Sequence, residues 1–325
     1  MSLIVQKFGG SSVADAEKLL HISHIIRTSR GAGDDVIVVV SAQGNTTDQL
    51  IRRAKSVASQ PDARELDALL ATGEQASAAM TAMALQSLGV PAVSLGAWQV
   101  PIRSGGEHGD GCIEDIGRER IEKELAAGRI VVVAGFQGLD RNGDLATLGR
   151  GGSDYSAVAL AAAFHAARCL IYTDVDGVYT ADPRICPTAR RLARVSYADM
   201  YALARAGARV LHDKCVALAQ AKGVEPEVLS CVAGSCGTRI VPSAQRLRGV
   251  TGVTRRIGAH DTYAAVTLVG GALPSLELEK RAILALNAAN IVVHGIDAGE
   301  RTLTLYVEPI RADEAVRCIH DAVII

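Results

Sequence analysis

The sequence predicts an α/β protein: a mostly parallel open sheet with helices on both faces, then a small α+β ferredoxin-like unit. Three observations carry this. Val36-Ile37-Val38-Val39-Val40 and Ile130-Val131-Val132-Val133-Ala134 are apolar throughout, as in strands buried on both faces. Such runs alternate with alanine-rich or amphipathic stretches of helical length. Beyond Val250 the order becomes strand, helix, strand, strand, helix, which suits a ferredoxin-like unit.

In chain order, Leu3-Ile4-Val5 is a short strand that stops at Lys7-Phe8-Gly9-Gly10-Ser11-Ser12. A helix follows, with Ala16, Leu19, Leu20 and Ile26 expected on its apolar face. The strand at 36–40 ends at Ser41-Ala42, and Gly44-Asn45-Thr46-Thr47-Asp48 reads as a polar loop. A helical tract over 62–88 contains Gly73-Glu74, and 91–95 reads as a strand. Residues 114–127 read as an amphipathic helix stopped by Gly128. The strand at 130–134 ends at Gly135-Phe136-Gln137-Gly138. Residues 147–184 read as loop, helix, buried strand, loop. Helices are expected at 197–206 and 210–221, and extended segments at 227–231 and 237–241. The last unit offers strands at 264–269, 291–296 and 303–307, with helices at 276–289 and 313–322. The expected domains are therefore 1–241 and 250–325, joined by a linker at 242–249.

Composition narrows the function classes. The chain has 325 residues, which suits two domains. With 49% hydrophobic but only 3% aromatic residues, the core must be Ala, Val, Leu and Ile. A net charge of −1 argues against nucleic acid or an anionic membrane as the main partner. The five arginines in 239–256 read as a solvated linker. Seven cysteines without a C-x-x-C pair indicate neither a disulfide framework nor a zinc site, which fits a reducing cytoplasm. The N-terminus lacks the pattern of a leader, and no apolar run is long enough for a membrane span. His108 beside Asp110 lacks the further ligands a metal needs, so no protein-held metal is expected.

Polar, glycine-rich loops follow the strands at Lys7, Ser41, Phe136 and Thr173. Open α/β sheets bind ligands at the carboxyl ends of their strands, so these loops are expected to share one crevice. Lys7 before two glycines can neutralise a phosphoryl group, although taken alone it reads more readily as a surface lysine before a turn. Arg150 offers a planar fork for a carboxylate or phosphate. Gly151 and Gly152 let backbone approach a ligand, and Ser153 or Asp154 can cap the helix behind them. Thr173-Asp174 suits hydrogen bonds to a sugar or base edge, or an ordinary turn. Glu74, taken alone, reads as an exposed charge on a helix.

Together these segments resemble the aspartate kinases (aspartokinases) of the amino-acid kinase superfamily. The resemblance rests on Lys7-Phe8-Gly9-Gly10-Ser11-Ser12-Val13, with Ser11 where threonine is common. It continues through Val40-Ser41-Ala42, Thr47-Asp48, Gly73-Glu74, Gly135-Phe136-Gln137-Gly138, 148–154 and 173–184, in order and spacing, over 1–241. The C-terminal unit is similar to an ACT domain, the family's regulatory module. The resemblance implies ATP-dependent phosphorylation, with Mg²⁺, of the β-carboxylate of L-aspartate to 4-phospho-L-aspartate. That is the first step towards lysine, threonine, methionine and isoleucine. Carried over by position, Lys7 and Asp154 would be catalytic, with Asp154 orienting Lys7. Lys7, Gly9, Gly10, Ser41, Thr173, Asp174, Tyr179, Arg184 and Arg209 would hold ATP. Thr47, Glu74, Arg150, Gly151, Gly152 and Ser153 would hold aspartate.

Arg209 stands where the family often has lysine, and Leu211-His212-Asp213-Lys214 departs from its usual Leu-His-Pro-Arg/Lys. Relatives mostly carry two ACT units, and this sequence has room for about one. An amino-acid effector bound to a paired site would therefore need a second subunit, so a homo-oligomer (dimer or higher) is expected. The loop at 269–274 lacks the acidic residue often found in effector-binding ACT domains. Two other readings stand beside the first: a kinase for another acidic acceptor, and a catalytically silent amino-acid sensor. Glu74 favours a free α-ammonium on the acceptor, while Lys7, Arg150 and Asp154 speak against a silent protein.

Overall fold

The apolar β-branched runs become the centre of a parallel sheet, as their two-sided burial requires. The computed structural model describes residues 2–231, 236–243, 249–258 and 261–324. Packing divides the chain into two compact units, Met1–Asp176 with Leu218–Ser235, and Gly177–Ala217 with Cys236–Ile325.

The chain begins β1 (Leu3–Phe8), α1 (Ala16–Gly31), β2 (Asp35–Val40), α2 (Thr46–Val57), α3 (Ala63–Ser87) and β3 (Ala92–Leu95). It continues β4 (Ile102–Gly105), β5 (Cys112–Ile116), α4 (Glu119–Ala126), β6 (Ile130–Ala134), β7 (Gln137–Leu139) and β8 (Leu145–Thr147). Then come α5 (Gly152–Ala163), β9 (Arg168–Thr173), β10 (Arg194–Ser196), α6 (Tyr197–Arg205), α7 (Asp213–Lys222), β11 (Pro226–Ser230) and β12 (Thr238–Val241). The chain closes with β13 (Gly252–Arg256), β14 (Ala264–Val269), α8 (Leu276–Ala288), β15 (Gly295–Gly299), β16 (Thr302–Val307) and α9 (Ala312–Val323).

In the first unit the strands run β11-β9-β1-β2-β6-β3, and each of these pairings is parallel. Phe8, Val36, Val38 and Val40 pack with Leu19, Ile22 and Ile26 of α1 and with Ala78, Ala82 and Leu85 of α3. α5 is buried along nearly its whole length. All strands of this sheet point the same way, so the loops after β1, β2, β6 and β9 emerge at one edge.

Several local expectations are corrected. The buried stripe of α1 is Leu19, Ile22, Ser23 and Ile26, the i, i+3, i+4, i+7 pattern, while Ala16 is exposed and Leu20 is 43% exposed. Thr46, Thr47 and Asp48 open a helix instead of continuing a loop. α2 buries only Leu50, so it carries no apolar period to read. The helix expected at 114–127 starts at Glu119, because 112–116 form β5 in a second small sheet, β5-β4-β7-β8. Its strands are three to five residues long, too short for an alternation to register.

The second unit carries the parallel pair β10–β12 and an antiparallel sheet in the order β13-β14-β16-β15. Ala282 and Leu286 of α8, with Ala315, Val316 and Ile319 of α9, pack on Val266, Leu268, Leu305 and Val307. The arginine-rich stretch is not wholly a linker, since Gly252–Arg256 is β13 and Arg255 pairs with Asp313 of α9. Of the linker expected at 242–249, residues 244–248 lie outside the described residues. The strand expected at 291–296 is instead Gly295–Gly299, set by its hairpin register of Gly295 against Tyr306 and Gly299 against Thr302. Val292 is 63% exposed, so its apolar character misleads. Asp199, 4% exposed on α6, accepts hydrogen bonds from Arg301 Nε and Thr251 Oγ1, each 2.9 Å. No helix among the described residues is long and apolar enough to cross a membrane.

The α1 assignment is testable by chemical denaturation. Ile22→Ala should cost about 2–4 kcal/mol of stability, and Leu20→Ala less than about 0.5. Equal losses would refute the stripe.

Candidate active site

The site is assembled in the first unit from the ends of β1, β2, β6 and β9. Lys7, next to last in β1, is 7% exposed, and its Nζ lies 2.6 Å from Asp154 Oδ1 in the first turn of α5. A lysine so deeply buried is tolerable only with its charge paired. Asp154 in turn gains from the positive end of the α5 dipole. After β1 the chain turns: Gly9 N–H donates to Tyr172 O at 3.1 Å, and the Phe8 and Tyr172 rings stack with centroids 4.7 Å apart. Gly10 has to be glycine, since a Cβ there would lie 2.6 Å from Ala42 O. Ser41, half-buried at the end of β2, donates its N–H to Phe8 O at 3.1 Å.

Glu74 is 3% exposed on α3, against the exposed position that its sequence context suggests alone. Its Oε1 accepts from Ala42 N–H at 2.8 Å. Its Oε2 is buried without a partner among the described residues. Burial pushes the Glu74 carboxyl up to about 7, with the Ala42 hydrogen bond opposing. Gly73 lets α3 close on this loop, because a Cβ there would meet Ala42 Cβ at 2.9 Å. Thr47 is half-buried in the first turn of α2.

Between β8 and α5, Arg150 and Gly151 are exposed, and Arg150 forms no ion pair among the described residues. Gly151 takes a left-handed φ of 70° as the cap of α5. No side chain caps this helix, which corrects the expectation that Ser153 or Asp154 would do so. Gly152 and Ser153 are buried, and a Cβ on Gly135 would lie 2.9 Å from Ser153 Cβ. Phe136 is held at a left-handed φ of 68°. Its N–H donates to Ser156 Oγ at 3.1 Å, and its carbonyl accepts from Leu148 N–H at 2.9 Å. At the end of β9, Thr173 Oγ1 donates to Asp174 Oδ1 at 3.0 Å.

Tyr179, Arg184 and Arg209 belong to the second unit. Tyr179 bridges Arg191 in an isolated antiparallel pair. Arg184 is exposed and grips Asp182, with Nη2–Oδ2 at 2.7 Å and Nε–Oδ1 at 3.0 Å, which lowers the Asp182 pKa. Arg209 is exposed. Cys186, His320 and Asp321 also cluster in this unit. The Thr188 hydroxyl sits at their hub, 2.7 Å from Asp321 Oδ1, 3.2 Å from Cys186 Sγ and 3.4 Å from His320 Nδ1.

Sequence reasoning missed Ser156 and Asp67. Asp67 is 1% exposed on α3, seven residues before Glu74, and accepts from His108 Nδ1 at 2.9 Å. The only signal was that spacing of two helical turns, which puts both carboxylates on one face.

The model of the amino acid kinase family matches residues 2–230. The chain belongs to that family. An aspartokinase of Bacillus sp. (strain MGA3) is 46% identical over 83% of this chain, and the chain spans only 65% of that relative's length. Among solved structures, the aspartate kinase from Synechocystis superposes over 99% of this chain and 69% of its own, at a TM-score of 0.67 and 27% identity. Aspartokinase III of E. coli, in complex with lysine and aspartate, matches 94% of this chain and 79% of its own, at a TM-score of 0.70 and 25% identity.

Glu74 makes stability depend on pH. Between its ordinary value of 4.5 and about 7, the unfolded chain has released a proton that the folded one keeps. Stability from this group is therefore full below the lower value and lost as pH rises through the upper one. Glu74→Gln should flatten the decline in urea midpoint between about pH 5 and 8. A decline as steep in the variant would refute the assignment.

Proposed function

We propose that this protein phosphorylates the β-carboxylate of L-aspartate with ATP, giving 4-phospho-L-aspartate and ADP. The observation that carries the reading is the buried, unpartnered Oε2 of Glu74 beside the Lys7–Gly10 turn, to which Ala42 links it. A carboxylate oxygen left open in a crevice suits an ammonium group, and Lys7 paired to Asp154 suits a transferring phosphoryl group. The likeness to aspartokinases supports the choice of acceptor.

In this mechanism no enzyme nucleophile is needed, because the acceptor carboxylate is already ionised. One of its oxygens forms a bond to the γ-phosphorus, the bond from that phosphorus to the bridging oxygen breaks, and ADP leaves with the electron pair. Lys7 stabilises charge on the phosphoryl oxygens, and Asp154 holds Lys7 in place. Gly9 and Gly10 bring backbone against the phosphates, with Ser41, Thr173 and Asp174 along the nucleotide. Glu74 holds the α-ammonium and Arg150 the α-carboxylate, with Thr47, Gly151, Gly152 and Ser153 around the acceptor. Mg²⁺ would neutralise phosphate charge. A cytoplasmic homo-oligomer with an amino-acid effector at the ACT-like sheet completes the proposal.

A coupled ADP-release assay comparing aspartate with other acidic amino acids tests the reading. Lys7→Ala should lower kcat by about two to three orders of magnitude with circular dichroism unchanged. An undiminished kcat removes Lys7 from catalysis. Aspartate binding should also expel a proton from Glu74 near pH 6.5, since an ammonium partner favours the charged form. Calorimetry in buffers of different ionisation enthalpy should find up to about one proton released by the native protein and none by Glu74→Gln. The same release from both proteins would place the ammonium elsewhere.

A further inference from the structure

The segment that leads to Arg150 is tied to α3 through a buried carboxylate. Asp67 Oδ2 accepts from Thr147 N–H, Gly109 N–H and His108 Nδ1–H, each at 2.9 Å. Asp67 Oδ1 accepts from the Thr147 hydroxyl at 2.6 Å. Thr147 ends β8, three residues before Arg150. The turn at 106–111 lies directly against this segment: Gly111 N–H donates to Thr147 O at 2.9 Å, and a Cβ on Gly149 would lie 2.7 Å from Asp110 Oδ1. Glu107, Gly109, Asp110, Arg150 and Gly151 are all exposed, while Leu148 between them is 1% exposed and anchors the segment by packing. The carboxylate of Asp67 adds the polar tie between the two loops and α3.

We propose that Asp67 is a positioning residue for the acceptor amino acid. It ties the Arg150 loop to the helix that carries Glu74. The groups that take the acceptor's carboxylate and its ammonium then keep one fixed separation. His108 is the side-chain arm of the same staple: its Nδ1 donates to Asp67 while the ring is 23% exposed. The inference rests on the roles given to Arg150 and Glu74 in the proposed function. Asparagine would keep its carbonyl towards Thr147 N–H, Gly109 N–H and His108, turn its amide to donate to the Thr147 hydroxyl, and lose the charge that strengthens all four bonds.

The test uses the full chain with Asp67→Asn, His108→Asn and His108→Gln, by steady-state kinetics and by hydrogen exchange. Asp67→Asn should raise KM for the acceptor about tenfold or more and leave KM for ATP within about twofold. Peptides over 106–111 and 145–150 should exchange faster, while those of β1 and β2 should not. His108→Asn places an amide donor where Nδ1 stood and should retain near-native KM. His108→Gln places it where Nε2 stood and should shift KM in the same direction as Asp67→Asn. Equal changes in both KM values, unchanged exchange in the two loops, or indistinguishable His108 variants would overturn the proposal. If Asp67→Asn does not fold, the His108 pair decides it. If the native protein turns over no acidic amino acid, the functional reading fails by itself, and the exchange measurement still decides whether Asp67 fixes the loop.

Discussion

The first unit depends on placing two opposite charges, Lys7 and Asp154, inside an apolar sandwich. Neither could be buried alone without shifting to its neutral form or opening to water. Each therefore constrains the element that carries it. Lys7 has to sit at the carboxyl end of the central strand β1, and α5 has to cross that edge with its first turn. Replacing such a pair by apolar residues is often neutral for stability, so its presence argues for chemistry more than for folding. The glycines around it have the same logic. Gly10 is small because a carbonyl lies where its side chain would be, and Gly151 is left-handed because the loop must reverse into the helix.

α3 is the second constraint. It carries two buried carboxylates on one face with opposite fates. Asp67 is saturated by four donors and acts as a staple. Glu74 has one oxygen satisfied and one left open among the described residues, and burial raises its pKa against the pull of the Ala42 hydrogen bond. A buried group kept short of partners is costly in a resting protein, and a cationic ligand would relieve the cost. The pairing of a finished carboxylate with an unfinished one, two turns apart, is a structural account of how a helix can be both support and binding surface.

In the second unit two buried polar clusters close on themselves. Asp199 is closed by Arg301 and Thr251, and Cys186, His320 and Asp321 converge on the Thr188 hydroxyl. The antiparallel sheet gains its fourth strand, β13, from the segment before β14, so the arginines at 255 and 256 belong to a strand and not to a solvated connection.

The sequence by itself determined the strands β1, β2, β6 and β9, the helices α1, α3 and α5, the loops after those strands, and the glycine, lysine and aspartate residues on them. These are local properties: apolar runs set the strands, and glycine beside charge marks where a strand gives way to a ligand loop. Only the tertiary structure decided that Glu74 is buried, that Asp67 is a hub of four donors, and that Leu20 faces out. It also decided that 112–116 and 252–256 are strands. Each of those depends on what lies across from a residue, and a short strand or a lone carboxylate carries no period that names its partner. Burial and hydrogen-bond closure are properties of the contact between segments far apart in the chain, so they exist only once the chain has folded.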